Sequence, residues 1–247
     1  MALLHRRKLT IISLLLYWPA IFIFAHIPIP ELVYKARVSD KSLHFLAYLV
    51  LVFLLWFAII PDRKVNWRKA AVWWITFAVV WYGVLDELLQ VYVGRTCDLA
   101  DFSANLAGSL TGLILFTFFT FWPAFLVVTG IAVFLLTNLA RANVTELLPV
   151  ASVVFYLFAY GFFTLLWVRY MNLFLSLKAP QPKWLFGALV VPIVFLSTVK
   201  LFSVILGKSF SVRNIIISAG AIATVVITIY LVALFRLRYA QIPSSGP

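Results

Sequence analysis

The sequence predicts an all-α, polytopic integral membrane protein: a helix bundle with about eight transmembrane helices and both termini in the cytoplasm. Three observations predict this class. Hydrophobic residues make up 64% of the 247 residues and charged residues only 11%, whereas about a quarter of a soluble domain is charged. The apolar residues form runs of about 20, the length of a transmembrane helix. Basic residues are more numerous between alternate runs, as expected for loops that stay in the cytoplasm.

The first three apolar runs have clear ends. Residues 9–29 follow Arg6, Arg7 and Lys8 and contain no small-residue cleavage site, so we expect a retained helix and not a signal peptide. Residues 43–60 form the second run, which stops at a proline followed by charged side chains. Residues 70–93 form the third.

The stretch 99–140 contains a single charged residue and would measure about 60 Å as one helix, twice the thickness of the bilayer core. We therefore expect two spans with a turn at Pro123. Three more apolar runs follow, at 149–168, 184–206 and 215–235. Seven of the eight acidic residues precede residue 102, so we divide the chain into a four-helix domain, 1–122, and an additional membrane half, 123–247.

The distribution of basic residues predicts the orientation. Twelve of the 20 lysines and arginines fall on the side of the termini and eight on the other side, so the first side is expected to be cytoplasmic. Of the acidic residues, only Asp62 falls on the inner side. The net charge of +12 is therefore a topology signal, and we expect no nucleic-acid partner.

Polar side chains interrupt the apolar background at the outer ends of three helices. In the second span, Lys41, His44 and Tyr48 follow Asp40 at spacings of three and four, which places them on one helix face. The third span carries Asp86, Glu87 and Gln90 about 26 Å from its start, near the outer boundary. A carboxylate at that depth costs free energy, so it indicates a functional site.

The fourth span opens with a polar stripe that continues as glycine. Asp98, Asp101, Asn105, Gly108 and Gly112 are spaced by three and four and therefore share one face. Ala104, Gly108 and Gly112 also repeat at four, the small-residue pattern that lets membrane helices approach closely. The stripe is expected to pack on another helix and to present its polar part to a shared pocket.

These residues, with Arg95 before the stripe, resemble the VanZ-like family of bacterial membrane proteins over residues 40–112. The carrying features are Asp40, Lys41, His44, Phe45 and Tyr48, then Asp86, Glu87 and Gln90, then Arg95, Asp98, Asp101, Asn105, Gly108 and Gly112. The family is named for an accessory protein of glycopeptide resistance clusters. The resemblance implies a protein of the bacterial cytoplasmic membrane, linked to teicoplanin resistance. It does not imply a reaction.

Several residues admit a structural interpretation beside the functional one. Asp86 and Glu87 either pair with Lys41 or Arg95 or serve a substrate or proton, and Asp98 is either a helix cap or a site residue. His44 is either a proton carrier or an interfacial histidine bonded to a carboxylate. His26, in the first span, lies near the same depth as His44 but belongs to no motif. A metal site from His44 and the carboxylates is chemically allowed, but no ligand spacing supports it, so neither a metal nor a cofactor is expected.

Three functions are compatible with these residues. The first is an outer-face pocket that binds the polar headgroup of a lipid-linked cell-wall precursor or a lipoglycopeptide, with Lys41 and Arg95 on its anionic groups. The second is a membrane enzyme that uses His44 and a carboxylate as base and acid. The third is a proton-coupled transporter, for which no inverted repeat is visible.

Overall fold

The structure is a computed structural model that describes residues 2–26, 39–93, 98–139, 149–208 and 211–240. Within these ranges it is all-helical, with eight long helices: α1 Ala2–His26, α2 Asp40–Ile59, α3 Ala70–Tyr92, α4 Leu99–Phe118, α5 Phe121–Leu139, α6 Pro149–Tyr170, α7 Pro182–Ile205 and α8 Val212–Ala240. A π-helical turn, Met171–Leu175, extends α6. Each of the eight is long and apolar enough to cross a membrane, which confirms the predicted class. The predicted position of the termini stays a prediction.

The turn between α4 and α5 lies slightly before the predicted position. Helix α4 ends at Phe118, and Phe119 and Thr120 form the link. Pro123 is in the first turn of α5, so the prediction of a turn at Pro123 itself is wrong. Proline is tolerated there because the first backbone N–H groups of a helix have no partner within the helix.

The chain divides into two compact units, residues 1–142 and residues 143–247. The first, called the N-terminal unit, contains α1 to α5, and the second, the C-terminal unit, contains α6 to α8. Helix α5 packs against α2 through Phe121, Ala124 and Val128, so it belongs to the first compact unit. The division at 122/123 stays a prediction about domains.

Helix α2 is the centre of the N-terminal unit and contacts α1, α3, α4 and α5. Its buried side chains include Leu49, Val52, Phe53 and Trp56, which are at most 3% exposed. Phe53 contacts the rings of four other phenylalanines from α2, α4 and α5. This apolar layer holds the helices in register and leaves the polar side chains of α2 at its N-terminal end.

The opposite end of the N-terminal unit is held by the segment between α2 and α3. The Val65 N–H donates to the Phe116 carbonyl oxygen at 2.8 Å, and the Trp67 indole donates to Thr117 at 3.0 Å. Arg6 forms an ion pair with Asp62 at 3.2 Å. These contacts tie this end of α2 to α4 and α1, so rotation of α2 about its axis is restricted.

In the C-terminal unit, α6 packs against α7 and α8, and α7 also packs against α8. Met171, Trp184, Ala188 and Val226 form a fully buried core near the start of α7. The Trp167 indole donates to the Gly187 carbonyl oxygen at 2.8 Å and links α6 to α7. At the other end of these helices, where α6 begins and α7 ends, the buried polar residues include Ser152, Ser203 and Asn214.

Candidate functional site

The polar residues predicted at the ends of the second, third and fourth spans come together at one end of the N-terminal unit. This end is formed by the C-termini of α1 and α3 and the N-termini of α2 and α4. The polar cluster, as it is called below, consists of His26, Asp40, Lys41, His44, Tyr48, Asp86, Glu87, Gln90, Asp98, Asp101 and Asn105. Arg95, which the sequence also predicts for the site, lies outside the described residues, as does Cys97.

Helices α2 and α4 meet through two polar contacts of the cluster. The Lys41 ammonium donates to Asp98 Oδ2 at 3.0 Å and to Asp101 Oδ1 at 3.3 Å. One turn deeper, His44 Nδ1 lies 3.0 Å from Asn105 Oδ1. An amide oxygen can only accept, so His44 donates to Asn105 in the tautomer that carries the proton on Nδ1. The predicted faces of both helices are therefore the faces that meet.

The two carboxylates of α3 have different surroundings. Asp86 Oδ1 lies 3.8 Å from Nδ1 of His26, which donates to the Phe22 carbonyl oxygen at 2.8 Å. Glu87 Oε2 accepts from the backbone N–H of Asp98 at 3.2 Å. Both side chains are buried, at 3% exposure for each residue. Of the two pairing partners considered, Lys41 contacts the carboxylates of α4 instead, and Arg95 lies outside the described residues.

Asp98 caps helix α4, which is one of the two roles predicted for it. Its Oδ1 accepts from the Ala100 N–H at 2.8 Å, while Oδ2 accepts from Lys41. These hydrogen bonds, that to the Ala100 N–H foremost, hold the pKa of the Asp98 carboxyl below its ordinary value. The Asp98 carboxylate therefore both caps the start of α4 and holds the Lys41 ammonium in position.

Several buried polar atoms of the cluster have no hydrogen-bond partner in the part of the chain that the structure describes. They are Glu87 Oε1, Gln90 Nε2, Asn105 Nδ2 and the Tyr48 hydroxyl, in residues that are at most 3% exposed. An unsatisfied buried donor or acceptor costs about 1–3 kcal/mol. Four such atoms in one cluster, with donors and acceptors both represented, are a set of groups that a polar ligand or water can satisfy.

His44 also belongs to two sets of residues whose donor atoms lie within 4.8 Å of one another. One set is His44 with Asp86 and Glu87, and the other is His44 with Asp40 and Asp101. Imidazole and carboxylate are ligands of divalent ions, and they are also the usual acids and bases of enzymes. The sequence analysis considered a metal site from His44 and the carboxylates but expected none, because the members come from three helices and have no fixed spacing.

An apolar groove adjoins the polar cluster. It has a volume of about 460 Å³, lies between α1 and α3, and is lined by Leu14, Leu15, Trp18, Pro19, Phe22 and Tyr82. Two of its lining residues contact the cluster directly. The Phe22 ring stacks on His26 with centroids 4.1 Å apart, and the Tyr82 ring stacks on Tyr48 at 5.8 Å. Leu15 is 66% exposed, so the groove opens toward the surface of the unit.

Two residues of this region were missed or underrated by sequence reasoning. His26 belongs to no motif, yet it ends α1 beside Asp86. Tyr82 lies one turn before Asp86 on α3 and joins the groove to the cluster. For His26 the available signal was depth, because a histidine at the end of the first span lies at the same level as the carboxylates at the end of the third.

The fold and the cluster define a multi-pass helical membrane protein with acidic and amide side chains buried at one end of its N-terminal unit. A family model described as VanZ/LLP1 matches residues 9–122, which confirms the VanZ-like resemblance for this part of the chain. The match includes the whole polar cluster, α2 to α4 and most of α1. No curated protein matches the chain, and no solved structure does.

Proposed function

We propose that the N-terminal unit is a cell-envelope receptor for a lipid-linked polar headgroup at the outer face of the bacterial cytoplasmic membrane. The headgroup lies at the polar cluster, and the lipid chain lies in the apolar groove. The observation that carries the proposal is the juxtaposition of the groove with buried polar atoms that lack partners among the described residues. A ligand with a polar head and an apolar chain matches both parts.

The chemistry of the cluster favours a headgroup rich in hydroxyl and amide groups. Glu87, Asp101 and the carbonyl oxygen of Gln90 accept hydrogen bonds, whereas the amide nitrogens of Gln90 and Asn105 and the Tyr48 hydroxyl donate them. Sugar and peptide groups present both donors and acceptors. The lipid-linked precursors of the cell wall and the lipoglycopeptide antibiotics both have such headgroups attached to an apolar chain.

Lys41 is the cation of the cluster in the described ranges, and its side chain is 55% exposed. Two of its three N–H bonds are directed to Asp98 and Asp101. An anionic group of the ligand would meet the remaining N–H, and Arg95, which lies between α3 and α4 in the sequence, would add a second cation. Acidic residues outnumber basic ones in the cluster, so hydroxyl, amide or ammonium groups fit its buried part better than phosphate does.

The test measures teicoplanin susceptibility together with the membrane abundance of the protein. Glu87→Gln and Asn105→Ala each change one buried group of the cluster, and Asp62→Asn is the control, because Asp62 lies at the opposite end of the unit. We expect cells with the wild-type protein or Asp62→Asn to show reduced teicoplanin susceptibility, and the cluster variants to lose this effect at normal membrane abundance. Cluster variants at normal abundance that behave as wild type would contradict the proposal.

The groove has its own matched pair of variants. Leu15→Trp narrows the groove, whereas Leu16→Trp adds the same volume at a neighbouring position that does not line it. Leu16 is 70% exposed, so it tolerates the larger ring. Mass spectrometry of the purified protein should find less copurified lipid in Leu15→Trp than in Leu16→Trp. Equal amounts of copurified lipid in both variants would contradict the placement of the lipid chain in the groove.

A second candidate function, a membrane enzyme acting on the same headgroup, is favoured by the set of His44, Asp86 and Glu87. In the tautomer with the proton on Nδ1, His44 has a lone pair on Nε2 that accepts a proton, and a protonated carboxyl supplies one to a leaving group. Lipid analysis of cells with and without the protein distinguishes the two functions. A receptor leaves the precursor unchanged, whereas an enzyme produces a new lipid species.

A further inference from the structure

Three buried side chains of the polar cluster converge from two neighbouring helices. His44 belongs to α2, and Asp86 and Glu87 belong to α3. One ligand atom from each of them, a ring nitrogen of His44 and a carboxylate oxygen of the other two, lies within 4.8 Å of the others. The three residues are 7%, 3% and 3% exposed. These residues, called the ligand set below, are therefore shielded from bulk water.

The distances within the ligand set suit coordination of a single metal ion. Zinc lies about 2.0–2.2 Å from an imidazole nitrogen or a carboxylate oxygen, so two of its ligand atoms are at most about 4.4 Å apart. The limit of 4.8 Å exceeds that separation by a few tenths of an ångström, which small side-chain rotations remove. Coordination is therefore compatible with the observed positions of α2 and α3.

Glu87 supplies a second and independent indication of a bound group. Its Oε2 accepts from the Asp98 N–H at 3.2 Å, whereas its Oε1 is buried and has no hydrogen-bond partner among the described residues. A buried carboxylate oxygen without a partner is costly, so such an atom is expected to meet a donor or a cation. The Oε1 atom is therefore available to an ion held beside His44.

His44 is oriented as metal-binding histidines usually are. Its Nδ1 lies 3.0 Å from Asn105 Oδ1, and the tautomer that donates this hydrogen bond has its lone pair on Nε2. A histidine that coordinates a metal commonly donates its other ring N–H to a carbonyl or carboxylate oxygen, which fixes both the tautomer and the ring. Asn105 is therefore a positioning residue for the metal ligand.

The charges of the ligand set favour a divalent cation. Asp86 and Glu87 are consecutive and buried, so their negative charges repel each other. Lys41 is directed to the carboxylates of α4. Asp86 Oδ1 also lies 3.8 Å from His26 Nδ1, a contact that is compatible with coordination because a carboxylate has about four lone-pair sites. A divalent ion would offset both carboxylate charges at once, with His44 bound as a neutral ring.

We propose that His44, Asp86 and Glu87 bind one divalent transition-metal ion, of the zinc or manganese type. An imidazole ligand favours such ions over magnesium and calcium, which prefer oxygen ligands alone. Three protein ligands leave a coordination position for water or for an oxygen of a larger ligand. This proposal goes beyond the headgroup receptor and does not depend on it, because all three ligands belong to the chain itself. A bound ion would occupy the lone pair of His44, which would then not serve as a base.

The test measures metal binding by the full-length protein, purified in detergent without a histidine tag and stripped with a chelator. The protein is dialysed against Zn²⁺, Mn²⁺ or Mg²⁺, and the bound metal is measured by plasma mass spectrometry, with no added lipid or antibiotic. We expect about one Zn²⁺ per chain, weaker binding of Mn²⁺ and no retained Mg²⁺. Glu87→Gln should lower the zinc affinity about 100-fold or more, because loss of a residue that only orients a ligand already costs about 10–100-fold.

Two further variants keep the result interpretable. His5→Gln removes an exposed histidine from the start of α1, at the opposite end of the unit, and should bind zinc as the wild type does. His44→Cys replaces the imidazole with a thiolate, which is a zinc ligand but a poor manganese ligand. It should retain zinc and lose manganese, a change of selectivity that a merely structural role of His44 would not produce. This variant also tests the site if Glu87→Gln does not fold.

Three outcomes would overturn the proposal. In the first, the wild-type protein retains no zinc or manganese after dialysis. In the second, Glu87→Gln binds zinc as tightly as the wild type. In the third, Asp101→Asn abolishes zinc binding and Glu87→Gln does not, which would place the ion in the set of His44 with Asp40 and Asp101. The headgroup proposal is not decided by any of these results, because it is tested separately by antibiotic susceptibility.

Discussion

Asp98 shows how one side chain connects three parts of the polar cluster. Its carboxylate caps α4 and accepts from Lys41, while its backbone N–H donates to Glu87 Oε2. The cap was one of the two roles that the sequence predicted for Asp98, because acidic residues are favoured near a helix N-terminus. The bond to Glu87 was not predictable from spacing, since it depends on how close the end of α3 comes to the start of α4.

The charge of Asp98 should make stability depend on pH. Its pKa is lowered in the folded protein, mainly by the Ala100 N–H and then by Lys41. The carboxylate therefore stabilises the fold above its unfolded pKa of about 3.9, and this stabilisation is lost as the pH falls through the folded value. Asp98→Asn keeps an oxygen for the cap but removes the charge, so it should melt below wild type at pH 7, with the difference shrinking below about pH 4.

The measurement is the melting temperature in detergent from pH 7 to pH 3. Lys41→Gln serves as a second background, because Asp98 then loses its ion pair and keeps the contact with Ala100. The change in melting temperature caused by Asp98→Asn should be smaller in that background than in the wild type. A change that is constant over the whole pH range would show that the Asp98 charge does not contribute to the fold.

At the scale of helices, the small-residue stripe of α4 explains why the polar residues meet. A Cβ at Gly108 would collide with the backbone carbonyl oxygen of Phe45, so α2 and α4 are in backbone contact at this point. That approach brings Lys41 and His44 within hydrogen-bond distance of the α4 carboxylates and amide. The spacing of the stripe predicted close packing and the shared face, but a single sequence does not say which helix packs against it.

Gly108 and Gly112 should therefore differ in their tolerance of a methyl group. At Gly108 the new Cβ meets backbone atoms, which cannot move without separating the two helices. Gly108→Ala should therefore lower the free energy of unfolding by about 1–3 kcal/mol or more. At Gly112 the Cβ meets the Val52 side chain, so Gly112→Ala should be rescued by Val52→Ala. Melting temperature and membrane abundance check both. Rescue of Gly108→Ala by Val52→Ala to the same extent would contradict this account.

At the scale of the whole chain, composition and run length were enough to predict the class, because an apolar run of about 20 residues matches the length of a transmembrane helix, in which every backbone group is satisfied within the segment. The ends of most helices followed from proline and charge. The link between α4 and α5 did not, since Pro123 is as compatible with the first turn of a helix as with a turn. The groove was also unpredictable, because its walls come from α1 and α3, which are separated by α2 in the sequence.

The charge distribution makes a prediction about orientation that the chain's single cysteine allows to be tested cleanly. In a Cys97→Ser background, Ser39→Cys and Lys64→Cys introduce one thiol each at exposed positions on opposite ends of α2. The topology predicted from the sequence assigns twelve basic residues to the Lys64 side and eight to the Ser39 side, so by the positive-inside rule we expect Lys64 in the cytoplasm. A membrane-impermeant maleimide should label Ser39→Cys in intact cells and Lys64→Cys only after permeabilisation. The reverse pattern would put the polar cluster at the cytoplasmic face, and the proposed ligand would then have to come from inside the cell.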